Sequence, residues 1–383
     1  MREGWEYKKF EEVFDLQMGK TPSRDNPLYW GGQNTWVSIS DLQRQYIDSS
    51  KENITDKAVS ESNIKVVKKG TVIMSFKLTV GRCAITAKDL FTNEAIMSFT
   101  PKQKGVVSPE YIYYYLKGYK WLGANKAVMG LTLNKKSIST NVFSYPPLPE
   151  QERIVSELDL LSSIIEKKKA QLKEYDHLAQ SIFYDMFGDP VENEKGWEVK
   201  KLSDISVEKL SYGSGASAMP YNEDVRYIRI TDINDNGELN EDVVSPNAYD
   251  EKYILNEGDI LFARSGATVG KTYCHKNKYG KCIYAGYLIR LIPNKRIVEP
   301  SYVFGYTKTL YYKKFVQKAQ NAVAQPNINA KQYGDLLICI PPLSLQQSFA
   351  EKIEAIERQK ELIKQSIAEA ETLFNSRMEY YFN

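Results

Sequence analysis

Apolar and polar residues follow one pattern twice along the chain. Over residues 1–148, short apolar runs bounded by turn residues, such as 71–76, predict β-strands, and stretches such as 109–116 predict short helices. Residues 189–343 repeat this alternation, with an apolar run at 259–263. We therefore predict two globular domains of the α+β class.

A different periodicity follows each domain. Apolar residues recur there at alternating intervals of four and three, which is typical of a helix face that packs against a second helix in a coiled coil. We predict two spacer helices, 149–188 and 344–383. Their helix-pairing residues are predicted to be Ile154, Leu158, Leu161, Ile165 and Leu172 in the first helix, and Ile353, Ile356, Ile363 and Ile367 in the second.

Residues with strong end preferences bound both helices. Pro149 suits a first helical turn, and Gly188 is expected to stop the first helix. Ser344 and Gln347 have the spacing of a capping box at the start of the second helix.

The two apolar seams differ in length. The seam from Leu343 to Phe374 is four residues shorter than the seam from Leu148 to Phe183. We therefore expect the second helix to be shorter by about one turn, or roughly 6 Å.

The two halves are a tandem repeat. Gly4–Phe10 recurs as Gly196–Leu202, and Trp36–Leu42 recurs as Tyr227–Ile233, with nearly the same shift in numbering. Each half ends on a proline pair followed by leucine. Because self-similarity at a fixed period indicates repeated structural units, we expect two separable copies of one domain.

Charge divides the chain in the same way. The 51 basic and 48 acidic side chains give a net charge of only +3. Residues 1–148 hold 21 basic and 14 acidic side chains, residues 189–343 hold 20 and 19, and both helices are acidic. The first domain especially is expected to present a phosphate-binding surface.

Cysteine usage and the first residues of the chain suggest a compartment. Four cysteines are scattered through the sequence, and the first residues contain no apolar stretch that resembles a signal peptide. We expect a cytoplasmic protein without a membrane span.

Three motifs could indicate other functions. Gly266–Thr272 approaches a phosphate loop, but it lacks the first glycine and a following amphipathic helix. Cys274, His275 and Cys282 lack a fourth zinc ligand nearby. Tyr145–Leu148 has two prolines but lacks the amide of an adenine methyltransferase tetrad. A DNA methyltransferase or NTPase with atypical motifs stays the alternative, together with a coiled-coil scaffold.

Polar and basic loops are the strongest candidates for a binding site. Asn and Gln can pair with adenine, Arg and Lys with guanine, and many such side chains contact phosphates. The candidate DNA-binding residues are Lys20, Thr21, Ser23, Arg24, Lys77, Thr79, Arg82, Lys126, Thr132 and Asn134 in the first domain, and Tyr212, Ser214, Ser217, Arg264, Ser265, Lys271, Gln325, Asn327 and Asn329 in the second.

Several of these motifs resemble the specificity subunits of type I restriction-modification systems. The resemblance rests on Gly19–Ser23, Tyr29–Gly32, Trp36–Asp41, Pro146–Gln151 and Phe183–Pro190. It implies a non-catalytic subunit without a cofactor, in which each of two target recognition domains reads one half of a split site on double-stranded DNA. It further implies antiparallel spacer helices that dock two methyltransferase subunits, and restriction subunits that join through the complex. The second repeat departs from the first at Ser344–Gln346.

Overall fold

The computed structural model describes residues 2–121, 125–127, 130–321 and 326–383, with the backbone alone at 125–127 and 130–132. The chain forms two compact units, Met1–Lys167 with Ser366–Asn383, and Lys168–Gln365. Each unit contains one globular domain and parts of both long helices.

The first globular domain is built around an apolar, mainly antiparallel sheet. In chain order its elements are β1 (Glu6–Lys9), α1 (Phe10–Val13), β2 (Phe14–Met18), β3 (Trp30–Val37), β4 (Tyr46–Ile47), β5 (Glu52–Ile54), α2 (Asp56–Glu61), β6 (Val72–Ser75), β7 (Cys83–Thr86), β8 (Phe91–Thr92), β9 (Ile96–Pro101), α3 (Pro109–Gly118), β10 (Asn125–Ala127), β11 (Gly130–Thr132), α4 (Lys135–Thr140) and β12 (Val142–Tyr145), followed by the long helix α5 (Leu148–Phe187).

The largest sheet of this domain has the order β2-β9-β6-β7-β4. Strand β6 lies at its centre and every residue in it is buried, which explains the continuous apolar run in the sequence. Strands β1 and β12 pair antiparallel, with Glu6 opposite Tyr145. This pairing brings the start of the domain to the point where α5 begins.

The second globular domain has the same plan. Its elements are β13 (Glu198–Lys201), β14 (Ser211–Tyr212), β15 (Ala218–Pro220), β16 (Arg226–Ile228), β17 (Val244–Pro246), β18 (Ile260–Ala263), β19 (Thr272–Cys274), β20 (Cys282–Tyr284), β21 (Leu288–Leu291), α6 (Pro300–Tyr306), α7 (Leu310–Asn321), α8 (Ala330–Gly334) and β22 (Leu337–Ile340), followed by the long helix α9 (Leu343–Phe382).

Strand order confirms the predicted repeat. The sheet β14-β21-β18-β19 has the connectivity of β2-β9-β6-β7, and the pair β13-β22 corresponds to β1-β12. The mixed helix and strand content of both domains also agrees with the prediction. The short strands and helices expected at 71–76, 109–116 and 259–263 are present as β6, α3 and β18.

Two helix segments complete the core of the first unit. Ile154 and Leu158, near the start of α5, are fully buried in the aromatic cluster of the domain. Met378, Tyr381 and Phe382, at the end of α9, belong to the same cluster. The Phe382 ring lies 5.7 Å from the ring of Tyr111 on α3. The end of α9 is thus an integral part of this core.

The second unit is completed in the equivalent way. Phe183 and Phe187, at the end of α5, pack with Phe349, at the start of α9, in the core of the domain. The rings of Phe187 and Phe349 are 5.2 Å apart, and the ring of Phe187 is 4.7 Å from that of Tyr302 on α6. In each unit, the core thus contains aromatic residues from the end of one long helix and residues from the first turns of the other long helix.

A buried glutamine fixes the start of each long helix. The Gln151 side chain donates to Val106 O and Pro146 O and accepts a hydrogen bond from Ser108 N. Gln346 makes the equivalent bonds in the second unit, to Ile297 O, Pro341 O and Glu299 N. Both glutamines are fully buried. They tie the helix to the loop before α3 or α6.

The helix ends correct two expectations. Helices α5 and α9 are both 40 residues long, so the predicted difference of four residues was wrong. Phe374 is not the last aromatic residue of the seam, because α9 continues to Phe382. Helix α9 begins at Leu343, so Ser344 lies inside the first turn and is not the N-cap that the capping box requires.

The other residues predicted to mark helix ends agree with the structure. Pro149 lies in the first turn of α5, and Gly188 follows its last residue with a φ of +80°. The Lys195 ammonium group donates to the carbonyl oxygens of Asp185 and Met186 in the last turn. A cation at this end also complements the helix dipole.

Most predicted helix-pairing residues are inaccessible to solvent. Ile154, Leu158, Ile165, Ile356, Ile363 and Ile367 are buried, and Leu161, Leu172 and Ile353 are half-buried. Because Ile154 and Leu158 pack into the first domain, burial alone does not assign the seam to helix pairing, which stays a prediction. No helix in the described part of the chain is both long and apolar enough to cross a membrane.

We predict that Phe382→Ala lowers the free energy of unfolding of the first unit by about 3 kcal/mol, because it empties a buried aromatic site. The measurement is guanidinium denaturation, combined with hydrogen exchange of the α3 amides. Leu373→Ala is the matched control on the same helix, since Leu373 is 46% exposed. It should change stability by less than about 0.5 kcal/mol. Equal effects of the two variants would show that the helix end does not complete the core.

Candidate nucleic-acid interface

Two predicted loops of the first domain meet at the end of its central strand, β6. The segment 76–82 follows β6, and the segment 133–136 leads into α4. Leu133 N donates to Phe76 O at 2.9 Å, which joins the two segments. Thr79, Arg82 and Asn134 are exposed at this junction and Lys77 is half-buried.

The second domain repeats this junction. Ile328 N donates to Arg264 O at 2.8 Å, and Gly266 N donates to Pro326 O at 3.1 Å. The Arg264 Nε donates to Asn327 Oδ1 at 3.3 Å, and its guanidinium lies 4.6 Å from the centre of the Tyr212 ring. The structure thus brings predicted residues from three separate stretches of sequence into one cluster.

Two predicted asparagines have a structural role. Asn134 Oδ1 accepts a hydrogen bond from Ser137 N at 2.8 Å and caps α4. Asn329 Oδ1 accepts one from Gln332 N at 2.9 Å and caps α8. Their side-chain oxygens are therefore occupied in the free protein, although both residues are exposed.

The segment 20–24 is held on two tryptophans. The indole N–H of Trp36 donates to Lys20 O, and that of Trp30 donates to Ser23 O, both at 3.1 Å. The Arg24 guanidinium stacks 3.8 Å from the centre of the Trp30 ring and forms two hydrogen bonds to Glu52. The bonds from Arg24 lower the pKa of the Glu52 carboxyl. A phosphate would have to compete with Glu52 for this guanidinium.

Other predicted residues in these loops differ in accessibility. The Thr21 hydroxyl donates to the Glu94 carboxylate. Ser265 is half-buried and pairs through its backbone with Asn327. Ser217 is exposed, and its backbone N–H donates to Asn247 Oδ1 at 3.0 Å.

Two predicted residues do not join the cluster. Ser214 is only 6% exposed, and its hydroxyl accepts a hydrogen bond from Ala216 N. The Lys271 ammonium group lies 3.0 Å from Asp235 Oδ1 and donates to Ile233 O at 3.2 Å. The Lys271 side chain thus contacts a neighbouring turn, and the Ser214 side chain is buried within its own turn.

Three predicted residues fall outside the described part of the chain. Gln325 is not described, and for Lys126 and Thr132 the backbone alone is described.

The segment that resembles a phosphate loop has a different backbone. Gly266–Thr268 is a single 3-10 turn, and Thr272–Cys274 is strand β19. A phosphate loop requires a helix that begins at the lysine and directs its N–H groups at the phosphate. This segment cannot provide that site.

A buried ion-pair network lies beside the helices in the second unit. Lys360 is 6% exposed, and its ammonium group lies 2.8 Å from Asp176 Oδ1, 3.2 Å from Glu357 Oε1 and 3.4 Å from Glu238 Oε1. Lys364 also pairs with Glu238 at 2.8 Å. Lys360 lies between the predicted helix-pairing residues Ile356 and Ile363, and only the structure shows its acidic partners.

These contacts shift the pKa values of Glu238 and Lys360. Burial alone would raise the pKa of Glu238, but the hydrogen bond from Lys364 and the charges of Lys360 and Lys364 outweigh it and lower the pKa to about 2. Burial likewise opposes the charged form of Lys360, yet its acidic neighbours raise its pKa overall. Both groups are therefore charged at neutral pH.

The fold and the repeated loop cluster define a class of protein. A family model described as the type I restriction modification DNA specificity domain matches residues 2–174 and again residues 194–372. These two matches span most of the chain, and the chain belongs to this family. The family confirms the prediction of a DNA-specificity subunit with two copies of one domain.

Individual relatives agree with this assignment. The chain is 28% identical over 388 residues to the MjaIX type I restriction enzyme specificity subunit of Methanocaldococcus jannaschii, which covers 92% of this chain and 86% of that protein. It is 26% identical over 195 residues to the EcoR124I/EcoR124II specificity subunit of Escherichia coli, over 46% of this chain and 48% of that protein.

Two solved structures share the fold. One comes from work on complex assembly and conformational transition of the type I restriction-modification system, with a TM-score of 0.61, 16% identity and coverage of 100% of this chain and 98% of that chain. The other is the S subunit from M. genitalium, with a TM-score of 0.52, 16% identity and coverage of 98% and 95%.

The ion-pair network predicts a pH dependence of stability. The pKa of Glu238 is about 2 in the folded protein, below the ordinary value of 4.5, so its contribution is present above about pH 4.5 and is lost as the pH falls toward 2. It should amount to at most about 3 kcal/mol.

Denaturation between pH 7 and pH 3 tests this prediction. Glu238→Gln should lose stability at pH 7 and show a flatter profile in the acidic range. Glu354→Gln is the matched control, because its ion pair with Arg358 is exposed and should contribute little. Parallel profiles for the wild type and Glu238→Gln would contradict the assigned role.

Proposed function

We propose that this chain reads a split site on double-stranded DNA, with one domain for each half. The reading domains are residues 1–148 and 189–343, and the spacer helices are residues 149–188 and 344–383. The main support for this proposal is the loop junction that follows β6 in the first domain and β18 in the second. In both domains this junction holds basic and amide side chains on a backbone fixed by hydrogen bonds.

Within each junction the side chains divide into two roles. Arg82 and Arg264 are the primary candidates for contact with guanine or phosphate, since an arginine can do either. Asn327 can offer its amide to adenine. Asn134 and Asn329 position the loops as helix caps. We leave Ser214 out of the proposed interface, and we treat Lys271 as a support for the neighbouring turn.

The spacer helices are proposed to pair antiparallel. In the first unit, Arg377 near the end of α9 contacts Glu157 near the start of α5, at 2.8 Å. In the second unit, Asp176 near the end of α5 contacts Lys360 in α9, at 2.8 Å. Glu157 precedes Asp176 in α5, whereas their partners in α9 follow the reverse order, with Arg377 after Lys360. Antiparallel pairing requires this reversal, and the equal lengths of α5 and α9 agree with such pairing.

The partners are inferred from the family. The relatives are specificity subunits of type I restriction enzymes. We propose that the outer faces of α5 and α9 dock two methyltransferase subunits, and that restriction subunits join through them. The active complex is expected in the cytoplasm, where chromosomal DNA is accessible.

A salt titration tests the proposed DNA contacts. The probe is a duplex that carries the site found by mapping methylated bases in cells with the intact system, and the protein is the full chain assembled with its methyltransferase subunits. Each phosphate contact contributes about 0.9 to the slope of log affinity against log salt. If Arg82 or Arg264 contacts a phosphate, its substitution by Gln should reduce this slope by about 0.9 and weaken binding.

Exposed lysines outside the loops provide controls for both domains. Lys68 pairs with Asp89, and Lys252 pairs with Asp250, at the surface. Lys68→Gln and Lys252→Gln remove the same charge and should leave the slope nearly unchanged. If both arginine variants bind specific and non-specific DNA as the wild type does, the proposed interface is wrong.

Helix length is predicted to set the gap between the two half-sites. Inserting one heptad after Lys167 and one after Gln365 preserves the seam and lengthens both helices by about 10 Å. The gap in the methylated site should then grow by about three base pairs. Inserting the heptad after Lys167 alone should abolish methylation, because the seam loses its partner. An unchanged gap with the double insertion would show that the helices do not set the spacing.

A further inference from the structure

An exposed leucine lies at the tip of the first-domain loop. Leu78 is 53% exposed and lies between Lys77 and Thr79 in the segment 76–82. Its φ is +65°, in the left-handed region that a leucine disfavours. In the described part of the chain, the other non-glycine residues with positive φ are Asn63, Asn193 and Glu223, so Leu78 is the apolar exception.

The surrounding hydrogen bonds impose this conformation. Thr79 N donates to Lys77 O at 2.8 Å, and the Ser75 hydroxyl donates to Thr79 O. Gly81 N donates to Ser75 O at 3.0 Å and closes the turn. Phe76, before the tip, is 1% exposed and anchors the loop in the core. Backbone strain of this kind persists only where neighbouring structure holds it, and it concentrates at functional sites.

The environment of Leu78 favours DNA as the surface that it meets. Lys77 and Arg82 flank it with positive charge, and Leu133 N joins the loop to the second candidate loop of this domain. Apolar side chains that approach DNA between basic neighbours contact thymine methyl groups or insert between base steps. We propose that Leu78 makes an apolar contact with the bases of the first half-site. This inference rests on the proposed function.

The second domain has no equivalent side chain. Leu133 N donates to Phe76 O and Ile328 N donates to Arg264 O, so Leu78, two residues after Phe76, corresponds to Gly266, whose φ is +67°. Glycine has no side chain that could make such a contact. The apolar contact is therefore a property of the first domain, and Ala267, the exposed residue after Gly266, supplies a control position in the second domain.

The test uses Leu78→Asn in the full chain, assembled with its methyltransferase subunits. Asparagine tolerates positive φ, so thermal stability should be unchanged or slightly higher. Affinity for the mapped duplex should fall about tenfold, since apolar contact area is lost. The salt slope should not change, because no phosphate contact is removed. Ala267→Gly should bind as the wild type does.

Modified duplexes distinguish the two forms of contact. Replacing thymine by uracil in the first half-site removes only the methyl group. If Leu78 contacts that methyl group, uracil weakens wild-type binding but not Leu78→Asn. If Leu78 inserts between bases, uracil has little effect, and 2-aminopurine at the inserted step is more fluorescent with the wild type than with Leu78→Asn.

The outcomes separate this inference from the proposed function. Wild-type affinity of Leu78→Asn, together with a reduced slope for Arg82→Gln, would overturn the role of Leu78 alone. A reduced slope for Leu78→Asn would also overturn it, since the variant would then disturb phosphate contacts. Weaker assembly with methyltransferase subunits at unchanged DNA affinity would show that Leu78 meets protein. If the arginine variants also bind as the wild type does, the interface itself is wrong.

Discussion

The ends of the two long helices complete the aromatic cores of both units. In each unit the domain supplies most of an apolar cluster, and the first turns of one long helix and the last turns of the other supply the remainder. Burial of Phe382 against Tyr111, and of Phe187 against Tyr302, removes large apolar surfaces from water. Because these contacts fix the helices to the domains, the loop clusters are held at defined positions on each unit.

Two arginines among the candidate DNA-binding residues already make contacts within their own domains. Arg24 is stacked on Trp30 and paired with Glu52, while Arg264 lies over Tyr212 and bonds Asn327. These contacts restrict side chains that would otherwise lose rotamer freedom on binding DNA. A phosphate or base that bound either arginine would have to compete with these contacts.

The two repeats differ in chemistry at one seam position. Ile165 and Lys360 occupy equivalent places after Leu148 and Leu343, and both are buried. The isoleucine needs only apolar neighbours. The lysine requires several carboxylates, because a buried charge with an incomplete set of partners is strongly destabilising. Glu238, from the second domain, is one of these partners, so the network ties that domain to α9 by charge as well as by packing.

The amino-acid sequence alone predicts the repeat, the α+β domains, both long helices and the loops that carry the candidate binding residues. These features depend on periodicity and local residue preferences, which involve neighbours close in the chain. Folding buries Ser214 and brings Lys271 to Asp235. It also decided where α9 ends. Each of these outcomes depends on packing or on a partner that no local pattern specifies, so it is settled only when the chain is folded.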